Sequence, residues 1–237
     1  MTAEVDKKAI DRMITDVCVR IIREPLLYFS EADVQQMLVE SLRTVDSLRR
    51  TVPTLVPKGL GSKNRHHTQL VHREYGGGDG RRVDVVIFDP KDVDNINDTN
   101  LMAGGTYLRP LYAFEIGTEK TADTDTHLKS DLAKLQNVKG AGYIIHFFRD
   151  TTLSPTGSGS RRRTEDKIDR SFRDAFNSIG GNIDEKIHVL AILLRTGRNQ
   201  ARMLGKCEVF DQEQGAWVKV NVAKESALRE AILKQLK

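Results

Sequence analysis

Two apolar runs between Arg81 and Phe148 each carry a single carboxylate in their middle, Asp84 in RRVDVVIF and Glu115 in LYAFEIG. A helix pattern, THLKSDLAKLQ, and an almost wholly apolar strand, GYIIHFF, follow them. A strand that is apolar on both sides is expected when both faces of its sheet are covered. A charge inside a β-rich apolar run costs free energy unless something pairs with it, so two in consecutive strands ask for a common partner. A bound metal ion is the leading one.

Strand alternation sorts the neighbours of each acid. On 111–117, Tyr112, Phe114 and Ile116 share one face, and Ala113, Glu115 and Gly117 share the other. Glu115 thus stands between two very small residues, which predicts room for an ion and a phosphate beside it. Asp84 shares its face with Val86 and Phe88, and the basic neighbours Arg81 and Arg82 offer the alternative of a plain ion pair.

Upstream, Ile10, Met13, Ile14, Val17, Cys18 and Ile21 recur at helical spacing and predict a helix over 4–23 closed by Pro25. A second helix starts after Ser30, a good N-cap, with Glu31 and Asp33 in its first turn, and runs to Arg49 and Arg50. Residues 51–68 read as a basic loop containing Lys58, Lys63, Arg65, His66 and His67, suited to gripping phosphates or simply to facing water. QLVHREY and RRVDVVIF form a hairpin across GGGDG. A nucleotide-binding glycine loop would need a helix after it and a Gly-Lys-Ser/Thr ending, and this turn ends in Arg-Arg. The polar excursion DPKDVDNINDTN resembles a calcium loop in composition only, since the closing glutamate and flanking helices are missing.

Downstream, 150–164 has the composition of a flexible loop carrying Arg161, Arg162 and Arg163. The extension 165–237 supplies a helix over 165–178, a buried strand over 186–194, a hairpin from 206–210 and 216–220, and a closing helix over 226–236. No repeat and no sharp break divides the chain, so one domain over 1–237 is expected. Lys and Arg number 37 against 33 Asp and Glu, a net +4, which permits a nucleic-acid partner without requiring one. Cys18 and Cys207 make neither a disulfide scaffold nor a zinc site. No run approaches a membrane helix and the first residues are charged, so a cytoplasmic protein without membrane contact is expected.

The order helix, strand, strand, strand, helix, strand over 30–148, with acids on the second and third strands, resembles the PD-(D/E)xK nuclease superfamily. That resemblance covers about half the chain. It implies a restriction-endonuclease-like αβββαβ core: a mixed central sheet flanked by helices, plus the N-terminal helix and the C-terminal αβ, hairpin and helix additions. It makes Asp84 and Glu115 the metal ligands, with Glu31 ligating or assisting a second ion, and it matches Asp131 and Lys134 to the Asp-x-x-Lys-Leu helix that often follows. The implied cofactor is Mg²⁺, with Mn²⁺ as substitute, since hard carboxylate oxygens suit both. The implied activity is a DNA endonuclease of restriction or defence type acting on double-stranded DNA, with a homodimer compatible with two-strand cleavage. One departure stands out: where the motif lysine belongs, this chain has Gly117. Lys120 is the favoured substitute, with Lys129 and Lys134 as alternatives. If none serves, the implied protein is a degenerate relative that binds nucleic acid or protein.

Overall fold

The computed structural model describes residues 5–24, 30–49, 51–54, 66–76, 81–94, 108–118, 124–150, 158–179, 183–195 and 206–237. The expected α/β architecture is present. Three helices open the chain: α1 (Lys7–Arg23), α2 (Glu31–Leu42) and the short α3 (Asp46–Arg49). Strands β1 (Val52–Thr54) and β2 (His66–Thr68) form a small antiparallel pair. The main sheet follows: β3 (Val71–Gly76), β4 (Arg82–Ile87), then α4 (Pro90–Asp94), β5 (Tyr112–Thr118), α5 (Thr124–Leu135), β6 (Ala141–Asp150), α6 (Ser158–Ile179), β7 (Ile187–Arg195), β8 (Lys206–Asp211), β9 (Ala216–Val220) and the closing α7 (Glu225–Gln235).

The seven strands lie in sequence order, β3 to β9, with β5, β6 and β7 parallel and every other pair antiparallel. Helices α5 and α6 are the crossovers that parallel pairing demands. Their presence explains why GYIIHFF is apolar throughout: Tyr143, Ile145 and Phe147 pack toward one face, and Ile144, His146 and Phe148 toward the other. The first face is covered by α1. Tyr143 donates to Asp11 Oδ1 at 2.9 Å and Tyr112 donates to the Val5 carbonyl at 3.3 Å. The opposite face carries α5 and α6, where Phe172 of α6 meets Phe148, Phe210 and Trp217 edge-on or tilted. Helix α7 lies against α1, tied by Arg229 to Asp16 at 2.5 Å. Among the described residues no helix is long and apolar enough to cross a membrane.

Ser30 caps α2 as its sequence suggests. The Asp33 N–H donates to Ser30 Oγ at 3.3 Å, and the Ser30 N–H donates back to Asp33 Oδ2 at 2.8 Å, a reciprocal capping box that fixes where Glu31 begins the helix. Ser30→Ala is expected to cost about 1 kcal/mol in chemical denaturation, with little change in the denaturant slope.

Three expectations are corrected. The second helix does not run to Arg50 but ends at Leu42, and Asp46 opens a separate turn of helix. The ends of the loop expected over 51–68 pair instead as β1 and β2, since Val52 meets Thr68 and Thr54 meets His66. Of the stretch 150–164 expected as a flexible loop, Asp150 ends β6 and the residues from Ser158 on belong to α6. Arginine is a good helix former, and the Arg161–Arg163 run is carried as the leading turns of a helix whose Ile168, Phe172, Ala175, Phe176 and Ile179 are buried. Residues 77–80 of the GGGDG turn, residues 95–107 of the polar excursion, the basic residues Lys58, Lys63 and Arg65, and Lys120 lie outside the described residues.

Candidate active site

The site begins where two strands part. The antiparallel register of β4 and β5 runs from Ile87–Tyr112 to Val85–Phe114 and stops there. One residue further, the Ile116 N–H donates to Asp84 Oδ2 at 2.7 Å, so a carboxylate takes the place of the carbonyl a continuing ladder would offer. Alternation then puts Asp84 and Glu115 on the same face, across from each other at the fork. Asp84 is 9% exposed and Glu115 2%.

Helix α5 closes over this fork. It approaches β6 closely because Gly142 has no side chain: a Cβ there would lie 3.0 Å from Leu135 Cβ. Leu128, Leu132 and Leu135 form its buried seam, while His127, Asp131 and Lys134, spaced by four and then three residues, face the acids. Lys134 Nζ donates to Glu115 Oε2 at 2.7 Å and to Asp131 Oδ1 at 3.2 Å. With Glu31 from the start of α2, these groups wall a cavity of about 210 Å³, floored by Ile116, Gly117 and Thr118 and flanked by His146.

The space beside Gly117 is not open, contrary to the expectation drawn from its size. Gly117 pairs with His146 across the parallel β5–β6 ladder, and a Cβ on Gly117 would fall 2.5 Å from His146 Nδ1 and 2.6 Å from Cε1. The imidazole, stacked on Phe148 with ring centroids 4.2 Å apart, fills the path that a lysine at 117 would follow. Among the described residues, the amine that lines this cavity is that of Lys134.

Burial dominates the electrostatics. It raises the Asp84 carboxyl to about 6, against the Ile116 N–H bond that lowers it, and Glu31 adds to the rise. Glu115 is raised as well, first by burial and then by Asp84 and Asp131, with Lys134 opposing. Burial works against the Lys134 charge, yet its bonds to Glu115 and Asp131 prevail and hold it above its ordinary range. Burial and nearby His127 push His146 down to about 3, leaving the ring neutral. Because Asp84 titrates higher folded than unfolded, the folded chain holds the extra proton between about pH 4 and 6, and its stability falls as pH rises through that window. In a chelator, the melting temperature is expected to drop from about pH 5 to about pH 7.5 more steeply in wild type than in Asp84→Asn. Equal slopes would remove Asp84 as a source of the dependence.

Of the residues predicted from sequence, Asp84, Glu115 and Glu31 come together at one cavity. Of the two lysines weighed beside Lys120, Lys134 lines the cavity and Lys129 is exposed on α5. His127 and His146 were not among the expected site residues. The His127, Asp131, Lys134 spacing marks one helix face and was available as a signal; a lone histidine in an apolar strand gave none.

The donor set suits a hard divalent cation: four carboxylates line one cavity, and Glu115 Oε1 is buried without a hydrogen-bond partner among the described residues. Among the described residues no three His, Cys, Asp or Glu side chains already stand close enough to ligate one ion. An ion held by three of these groups would require side-chain adjustment around the fork.

The fold and the site together define a mixed α/β protein with a carboxylate–lysine cavity at a strand fork. No protein-family model and no curated protein matches the chain. Among solved structures it is similar to NucC of P. aeruginosa ATCC27853 in its cAAA-bound form, over 97% of this chain and 90% of that one, at 11% identity and a TM-score of 0.35. A likeness at that level bears on neither family nor chemistry.

Proposed function

We propose that this chain is a divalent-metal-dependent nuclease of the PD-(D/E)xK type that hydrolyses phosphodiester bonds in DNA. The observation that carries the reading is the convergence of Asp84 and Glu115 on one face of a strand fork, with the Lys134 ammonium 2.7 Å from Glu115. Asp84, Glu115 through Oε1, and Glu31 would hold Mg²⁺ or Mn²⁺. Bound there, the ion supplies charge to offset that gathering on a phosphate and makes water a stronger acid.

The protein's own groups do the rest. The Ile116 N–H fixes one oxygen of Asp84 and Lys134 fixes one of Glu115, so each carboxylate presents its other oxygen from a held position. Lys134 also places a fixed positive charge on the cavity wall, where negative charge develops in the transition state. In this reading it fills the role of the missing motif lysine in place of Lys120. The Arg161–Arg163 run at the start of α6 suits backbone phosphates without reading sequence.

Incubation with supercoiled and linear DNA in Mg²⁺, Mn²⁺ or EDTA tests this. Cleavage is expected with metal, lost in EDTA and lost in Asp84→Ala and Glu115→Ala. The absence of cleavage with either metal, or its persistence in both variants, would overturn the enzyme reading. Gly117 favours one second reading, a degenerate relative that binds nucleic acid or protein without cutting. DNA retention without cleavage in the same preparations would support it.

A further inference from the structure

Among the described residues, Glu115 Oε1 and His146 Nε2 are buried polar atoms at the cavity that find no hydrogen-bond partner. Buried polar atoms are nearly always satisfied, and the exceptions ask for a ligand, a water or an ion. Here the two belong to residues of neighbouring strands on one sheet face, Glu115 beside Ile144 and Gly117 beside His146. Both residues line the same cavity, and both are more than nine-tenths buried. One is an oxygen acceptor. The other is a ring nitrogen, and its imidazole is held in place by the stack on Phe148. A bridging water or a cation would satisfy the pair, and the further carboxylates of Glu31, Asp84 and Asp131 on the same cavity favour the cation.

We infer that the cation site of this cavity is a mixed oxygen–nitrogen site, in which His146 Nε2 joins Glu115 Oε1 on the same ion, and that it takes Mn²⁺ and its transition-metal neighbours in preference to Mg²⁺. The inference deepens the metal-site reading above and rests on it. Mg²⁺ demands oxygen and sheds water reluctantly, so an imidazole nitrogen adds little to its binding. Later first-row ions accept imidazole readily, and affinity climbs along the row. The ring therefore changes which ion the fork selects. The same ring occupies the path of a lysine at 117, so the glycine and the histidine form one exchange: a side chain on β5 is given up, and a nitrogen donor on β6 takes its space.

Calorimetric titration of chelator-stripped full-length protein with Mn²⁺ and Mg²⁺ tests the inference. Wild type is expected to bind Mn²⁺ at least about tenfold more tightly than Mg²⁺. His146→Phe keeps the stack on Phe148 and removes the nitrogen; it is expected to lose about tenfold or more in Mn²⁺ affinity and little in Mg²⁺ affinity. Glu115→Gln is expected to lose both. If His146→Phe binds Mn²⁺ as wild type does while Glu115→Gln loses both ions, the site is oxygen-only: the inference is overturned and the metal reading stands. If wild type binds neither ion, or Glu115→Gln binds both unchanged, the metal reading fails and takes the inference with it. Should His146→Phe not fold, nitrogen NMR of the histidine rings in wild type decides. The His146 Nε2 resonance is expected to move on saturation with Zn²⁺ and stay put with Mg²⁺; a resonance unmoved by Zn²⁺ overturns the inference.

Discussion

Lys134→Met is expected to lose stability in the metal-free protein by an amount that grows with pH, reaching about 3–5 kcal/mol where Glu115 is charged, and at least about a hundredfold in cleavage. Methionine keeps most of the lysine stem, so the apolar packing beneath it is largely retained. What goes is the charge that bonds Glu115 Oε2, on a carboxylate 2% exposed to water. A buried charge stripped of its partner costs far more than the intact pair contributes, because desolvation is no longer offset. Two measurements separate this from a general packing defect. The double variant Glu115→Gln/Lys134→Met is expected to recover most of the stability, since it removes the orphaned charge along with its partner. Added Mn²⁺ is expected to raise the melting temperature of Lys134→Met more than that of wild type, because the ion then replaces the positive charge that Lys134 supplied. A single variant as stable as wild type would show that Glu115 is not held charged by Lys134.

Restoring the motif is expected to harm the protein. Gly117→Lys should lower stability by about 1–3 kcal/mol and leave cleavage no faster than in wild type. The first added atom already overlaps the His146 ring, at 2.5 Å from Nδ1, before any question of where the amine would go. The ring has little freedom to yield, being buried and stacked on Phe148 at 4.2 Å. Gly117→Lys/His146→Ala removes the obstruction and is expected to regain stability relative to Gly117→Lys, read by thermal unfolding of the pair. A stable, faster Gly117→Lys would mean that the imidazole moves aside freely.

The parts of this architecture that local chemistry dictates were open to reading in the chain. Alternation placed Asp84 and Glu115 on defined strand faces, Ser30 announced the start of α2, and the run 143–148, apolar but for His146, signalled a strand covered on both sides. What decided the site was long-range. Helical spacing puts Lys134 and not Lys129 on the face of His127 and Asp131, but how near its ammonium comes to Glu115 depends on how closely α5 settles on β6, at Gly142 opposite Leu135. His146 looked like an ordinary core histidine because its strand gives no sign of the glycine beside it; only the parallel register brings them together. The start of α6 was obscured for another reason: Gly and Ser at 157–160 suggest a loop, and the apolar seam that anchors the helix lies further along, from Ile168.

The contact of Gly142 with Leu135 also has a bearing on charge. Leu135 and Lys134 are adjacent, so the depth to which one apolar side chain sinks against a strand sets the height at which the next residue's ammonium meets a carboxylate. The floor of that contact acts as a spacer of near-atomic thickness beneath the ion pair. A methyl group added there, remote from every charged atom, would lift the helix, lengthen the Lys134–Glu115 bond and weaken it, so the electrical balance of the fork can be tuned from the hydrophobic side of the helix alone.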